Sequence, residues 1–297
     1  MARRLIIGAG PPSTSPTGHA ESARPMTVLK SALSVLAVLT ATTSAPALGQ
    51  GVNRPYAALP DWSGIWQMNG NTVFDHATVE PTNGAAGVAN VREHPPYNAE
   101  WEAKYQSNIK KIAADRWPDP LTFCGVPAGF PRVLNVPDTY EFVLRPEQAW
   151  ILTENGPNVV RIYTDGRGHP PADEVWDTYS GDSIGHWNGD TLEFDTIAMR
   201  GEGSTIIDRT GLIHSSALHV DTRMHKVDAN TMEAQMTLDD PVAFTKPWTV
   251  TKRYRKLPLG TRAYDYACSE NNRNLVAPSG KTLTLGSDGK PIDKDQR

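Results

Sequence analysis

Cysteine is almost absent: Cys124 and Cys268 are the only two in 297 residues. That scarcity excludes a disulfide-stapled mini-fold, a zinc ribbon and a redox CxxC pair. Two options stay open, a pair of buried thiols or one bridge worth roughly 4–5 kcal/mol in the chain-entropy model. A basic excess is also lacking, with a formal net charge of −4. Nothing is therefore in hand to neutralise a run of phosphates, and nucleic acid is not an expected partner. No apolar run is long enough for a permanent membrane span. HExxH, Gly-x-Ser-x-Gly, SxxK and phosphate-cradling glycine loops are missing, so neither a metal, a nucleophilic serine nor a cofactor is called for.

What is present begins with an export leader. From Met26 the chain reads MTVLKSALSVLAVLTATTSAPALGQ. Lys30 supplies the positive start, residues 31–39 the short apolar run, and Ala45-Pro46-Ala47 or Ala47-Leu48-Gly49 the small residues of a cleavage point. Residues 1–49 are read as leader, with translation starting at Met26 and the mature chain near residue 48–50. A twin-arginine signal at Arg3-Arg4 fits less well, because LIIGAGPP continues it poorly. The expected compartment is the periplasm or the exterior.

The rest reads as one domain over 50–275 with a flexible tail over 276–297. Asp61-Trp62-Ser63-Gly64-Ile65-Trp66 opens the first strand, and 77–91 is a low-complexity loop. One helix is predicted over 98–117. Trp101, Tyr105, Ile109 and Ile112 share its face, Asn98 caps it, and Pro118 and Pro120 stop it. From residue 139 the period switches to two: 140–145, 148–153, 159–164, 183–187, 190–196, 212–226, 231–238 and 248–257 read as strands. Asn188-Gly189 marks a hairpin. No helices alternate with these strands, so antiparallel order follows. Met232, Ala234, Met236 and Leu238 share one face and Thr231, Glu233, Gln235 and Thr237 the other, giving one buried and one wet side. The expected fold is mainly β, an antiparallel up-and-down barrel with one N-terminal helix; a two-sheet sandwich is the alternative.

Imidazoles near carboxylates are the main chemical signal. Asp165, Arg167 and His169 crowd a glycine-rich loop leaving the third clear strand, where they suit anion binding and proton transfer. His186 precedes the hairpin. On simple alternation His214 falls on the inward, apolar face, while His219 joins Asp221 and Arg223 on the opposite one. A bulge at Ser215-Ser216 would aim His214 and His219 into one space, suited to proton shuttling or metal binding, though their spacing selects no metal. Asp239-Asp240 and Glu270–Arg273 read as turn-capping clusters.

The runs 161–170 (RIYTDGRGHP) and 183–192 (SIGHWNGDTL), with Ala217–Val220, Asp239–Pro241 and Thr245–Thr249, resemble a family of exported soil-bacterial proteins over roughly residues 61–275. That resemblance implies export and no particular activity. Gly64-x-Trp66 resembles the start of lipocalin-like barrels, which implies a hollow interior for a small apolar molecule. The leading expectation is thus a lipocalin-like barrel enzyme. It would act on a small apolar or aromatic compound by acid–base chemistry, as a hydratase, lyase or isomerase. His214 and His169 are the expected proton carriers, Asp165 orients a His, Arg167 holds an oxyanion, and His186 and His219 stand in reserve. The alternatives are a carrier of a hydrophobic ligand, and an envelope interaction module with a solid interior and an exposed apolar patch.

Overall fold

The computed structural model describes residues 54–79, 92–123, 126–154, 159–264, 274–279, 282–285 and 289–291. The leader, both cysteines, most of the 77–91 loop and the Glu270–Arg273 cluster lie outside the described residues.

The alternation of apolar and polar residues becomes a closed barrel of nine strands. These are β1 (Trp66–Met68), β2 (Thr139–Leu144), β3 (Gln148–Thr153), β4 (Val159–Tyr163), β5 (Asp182–Asn188), β6 (Thr191–Ile197), β7 (His219–Asp228), β8 (Thr231–Asp239) and β9 (Trp248–Lys256). Strand β9 pairs back onto β1, with Trp66 opposite Lys256, and closes the sheet on itself. The β5–β6 hairpin turns on Gly189 and Asp190, and Gly189 takes φ +58°, a backbone setting glycine adopts without strain.

One pairing departs from antiparallel order. Ile162 and Tyr163 of β4 lie parallel to Ser183 and Ile184 of β5. A parallel neighbour needs a crossover, and the long connection 164–181 supplies it as irregular chain without a helix. Two seams are correspondingly thin: β4–β5 and β1–β2 have two residue pairs each, whereas β7–β8 runs the length of both strands.

Inward-facing side chains are withdrawn from water. Met232, Ala234, Met236 and Leu238 of β8 are fully buried, as the alternation predicts. Each large apolar side chain withdrawn in this way is worth about 1.5–3 kcal/mol. Rings meet across the β9–β1–β2 wall, with Tyr140 and Tyr254 at 4.9 Å between centroids and Trp66 and Phe142 at 6.3 Å.

The helix α1 (Ala99–Ala113) falls between β1 and β2 in the chain. Asn98 caps it by accepting the Trp101 amide at 3.1 Å. Its buried residues are Trp101, Tyr105, Asn108 and Ile112. Ile109 packs against the core partly buried, and Asn108 turns inward beside it, its side-chain amide donating to the Gly211 carbonyl at 3.0 Å. Past the barrel, β10 (Asn274–Val276) and β11 (Thr282–Thr284) pair as a two-stranded sheet, so part of the expected tail has regular structure. Among the described residues no helix is long and apolar enough to cross a membrane.

Candidate functional site

Strand alternation sorts the predicted residues before any contact is considered. On β6 Leu192, Phe194 and Thr196 are buried, so Glu193 and Asp195 face out; on β7 Val220, Thr222 and Met224 are buried, so His219, Asp221 and Arg223 face out. The register sets Asp195 opposite Asp221 and Glu193 opposite Arg223. Like charges directly across a sheet repel, so this outer patch needs cations close by.

The crossover loop brings one. His169 lies against the wall with Nδ1 2.6 Å from Asp182 and Nε2 2.8 Å from Asp195. Carboxylates accept, so both ring nitrogens donate and the ring is an imidazolium. Partial burial pulls its pKa down, but the bonds from Asp195 and Asp182 outweigh that and hold it above the ordinary histidine value. Asp195 is pushed up by burial and pulled down further by His169 and His219, so it stays ionised.

His219 completes the set. Its Nε2 donates to the same Asp195 oxygen at 3.1 Å. Its other ring nitrogen, Nδ1, lies 4.0 Å from Asp221, beyond hydrogen-bond distance. The result is a carboxylate between two imidazoles, one held on both nitrogens and one held through Nε2 alone. Beside it runs an open groove of about 470 Å³, lined among others by Arg167, Ile184, His186, Asp195, Asp221 and Arg223.

Other predicted residues stand differently from expectation. Asp165 does not orient a histidine: it holds Arg167 through Nε at 2.9 Å and Nη2 at 2.6 Å. The same guanidinium lies 4.1 Å over the Tyr163 ring, and the pairing keeps Asp165 below the usual carboxylate range. His186 is exposed and reaches Glu193 at 3.4 Å. His214 is not on a strand, because β7 begins only at His219. No bulge joins the two histidines. His214 is buried, its Nδ1 donates to the Ser215 carbonyl at 2.8 Å, and its Nε2 meets the Thr205 hydroxyl at 3.2 Å. Burial pushes its pKa down despite the Ser215 bond, which makes it a neutral, satisfied core histidine away from the groove.

A second cluster was not anticipated. Glu93, Asp208, Asp75 and Lys252 are buried together. Glu93 accepts the Asp75 amide at 2.5 Å and lies 3.1 Å from the Thr210 hydroxyl, which donates to Asp208 at 2.6 Å. Burial and the charge of Asp208 push Glu93 up to about 10, so it keeps its proton and donates it toward Asp208. Burial brings Lys252 down to about 8, against the pull of Glu93, Asp208 and Asp75, and its amine donates to the Val73 carbonyl at 2.7 Å. The four residues come from four separate stretches of chain, and no local pattern marks them. Among the described residues no group of three or more His, Cys, Asp or Glu is disposed to hold a metal ion.

No protein-family model matches the chain, and no curated protein matches it.

Proposed function

We propose that the chain is a small-molecule enzyme of the lyase or isomerase type, working by proton transfer in the outer-wall groove. The observation that carries this reading is Asp195 held between His169 and His219, with Nδ1 of His219 outside hydrogen-bond distance of any carboxylate. His219 acts as general base and takes a proton from carbon next to a carbonyl or carboxylate. Asp195 and Asp221 steady the imidazolium that forms. Arg167 and Arg223, with Asp195 and Asp221, line the groove beside His219, and the two guanidinium groups meet the developing oxyanion. His219 then returns the proton, either to a new carbon, giving an isomer, or to a departing hydroxyl, which leaves as water. His169 has no free nitrogen and acts as a positioning residue for Asp195.

Ile184 gives the groove an apolar surface, so the reading retains a small, largely apolar or aromatic substrate carrying one acidic or carbonyl oxygen. The site works from outside the barrel rather than from its lumen. Export remains part of the proposal, supported by the order of charged, apolar and small residues over 26–49. The N-terminal sequence of the protein recovered from a cell-envelope fraction tests that part.

The chemistry is tested by incubating the protein in deuterium oxide with a panel of small ketones, enoates and β-hydroxy acids, then counting deuterium by mass spectrometry. One class should exchange, and His219→Asn should slow that exchange by about 100-fold or more. Exchange at the wild-type rate in His219→Asn rejects the assignment. A small molecule that co-purifies and leaves unchanged puts the carrier reading in its place.

A further inference from the structure

The thin seam between β1 and β2 leaves a strand edge open. These strands pair only at Trp66 with Tyr140 and Gln67 with Thr139. Beyond Tyr140, β2 continues to Leu144 with β3 on one side only. Arg145 and Gln148 exchange backbone bonds at 2.8 and 3.3 Å. In an antiparallel ladder such pairs alternate, so Val143 and Glu141 also bond to β3 while Phe142 and Leu144 turn their N–H and C=O the other way. Among the described residues no backbone group meets them there. The chain before β1 veers off instead of closing the gap. Gly64 takes φ +101°, and Pro60 has no N–H to offer.

What stands in place of the missing strand is a slot of about 440 Å³, walled by Tyr56, Leu59, Pro60, Trp62, Phe142 and Val143. Its outer lip is apolar and wet, with Tyr56 71% and Val143 40% exposed. Trp62, itself only 2% exposed, has an indole N–H without a hydrogen-bond partner. The only charged side chains lining the slot are Asp61 and Glu141, both acidic.

We infer that this slot is a docking site for an extended peptide segment of another protein, one that adds a short strand to the open edge of β2. An unpaired strand edge recognises extended backbone through its own N–H and C=O groups, and flanking pockets read alternate side chains. Here the edge spans Phe142 to Leu144, which admits three or four residues at about 3.3 Å each. The apolar wall takes alternate aliphatic side chains, and the two acids favour a lysine or arginine between them. This inference is independent of the proton-transfer reading, since the slot shares no lining residue with the outer groove.

The test uses the whole protein with an acetylated, amidated hexapeptide of alternating valine and lysine, followed by NMR. The amide signals of Phe142 and Leu144 and the Trp62 indole N–H should shift on titration. Methylating the peptide nitrogens on its edge-facing side should weaken binding at least tenfold, and Glu141→Lys should do so by a similar factor. Equal binding of the methylated peptide would overturn the inference in favour of a small-molecule pocket. An alanine–glutamate hexapeptide binding as well as the valine–lysine one would overturn its chemistry. A stable dimer in sedimentation that the peptide fails to dissociate would assign the edge to a second copy of this chain instead.

Discussion

The outer-wall and the buried cluster are built from the same materials and end in opposite protonation states. Outside, Asp195 shares His169 with Asp182 and stays ionised, because cations lie within hydrogen-bond reach and water helps. Inside, Glu93 and Asp208 lie against each other with Thr210 between them, and burial keeps the proton on Glu93 up to about 10. Residue type alone therefore does not say which carboxyl group is acid and which is base. Solvent and the sign of the nearest charge decide. The outer cluster suits proton traffic with a ligand. The inner one suits fixing chain segments that meet nowhere else in the sequence.

That contrast sets the order of expected effects. The largest is on stability, in Glu93→Ala. It strips the acceptor from the Asp75 amide, leaves Asp208 without its protonated neighbour and opens a void, a combination costing about 3 kcal/mol or more. Asp195→Ala also removes hydrogen bonds, those to His169 and His219, but where water can replace them, and should cost about 1 kcal/mol or less. Denaturant melts of the two variants at pH 7 measure both. Equal losses would mean that burial is not what separates the clusters.

Glu93→Gln sharpens the comparison at intermediate size. The folded pKa of about 10 lies above the ordinary 4.5, so the unfolded chain releases this proton first as pH rises. The Glu93 contribution is whole below about pH 4.5 and is lost progressively toward pH 10. Glutamine keeps the shape and a donor toward Asp208 but has no proton to lose. The variant should match wild type near pH 4 and melt higher by about 4 °C or more at pH 9, a gain of roughly 1–2 kcal/mol. Parallel melting curves across that range would show that Glu93 ionises freely.

Much of the wall was legible and much of the inner cluster was not, for physical reasons. Period-two runs located β2 to β9 to within a residue or two at most ends, and alternation correctly set His219 beside Asp221 and Arg223 on the outer face. It failed at 212–218, which reads as strand. There side chains from distant segments capture the backbone groups a ladder needs. Tyr97 hydroxyl donates to the Ile213 carbonyl at 2.6 Å and accepts its amide at 2.8 Å, and Asp240 accepts the Ser215 amide at 2.7 Å. No local pattern carries such long-range competition. The parallel seam was hidden for a related reason, since its crossover lacks the helix that usually signals one. His169 was legible as a candidate, but its partners Asp182 and Asp195 emerge only once β5 and β6 are in register.

The smallest expected effect concerns that pinned imidazole and bears on how the outer cluster is held. A histidine pKa raised by folding adds stability that is fully present below its ordinary value of about 6.5 and fades as pH climbs through the folded value. His169→Asn should therefore melt lower than wild type near pH 5.5 and converge with it by pH 9. The gap should stay below about 1 kcal/mol, because the ring is partly wet and its ion pairs are screened. Local opening should exceed that global figure: amide hydrogen exchange along the crossover 164–181 should quicken in the variant at pH 5.5, while β7–β9 keep their protection. A constant offset at every pH would make His169 a packing element rather than a charge. It would also leave the facing pair Asp195 and Asp221 without the cation that offsets their repulsion, and the contrast with the buried acids would then need another cause.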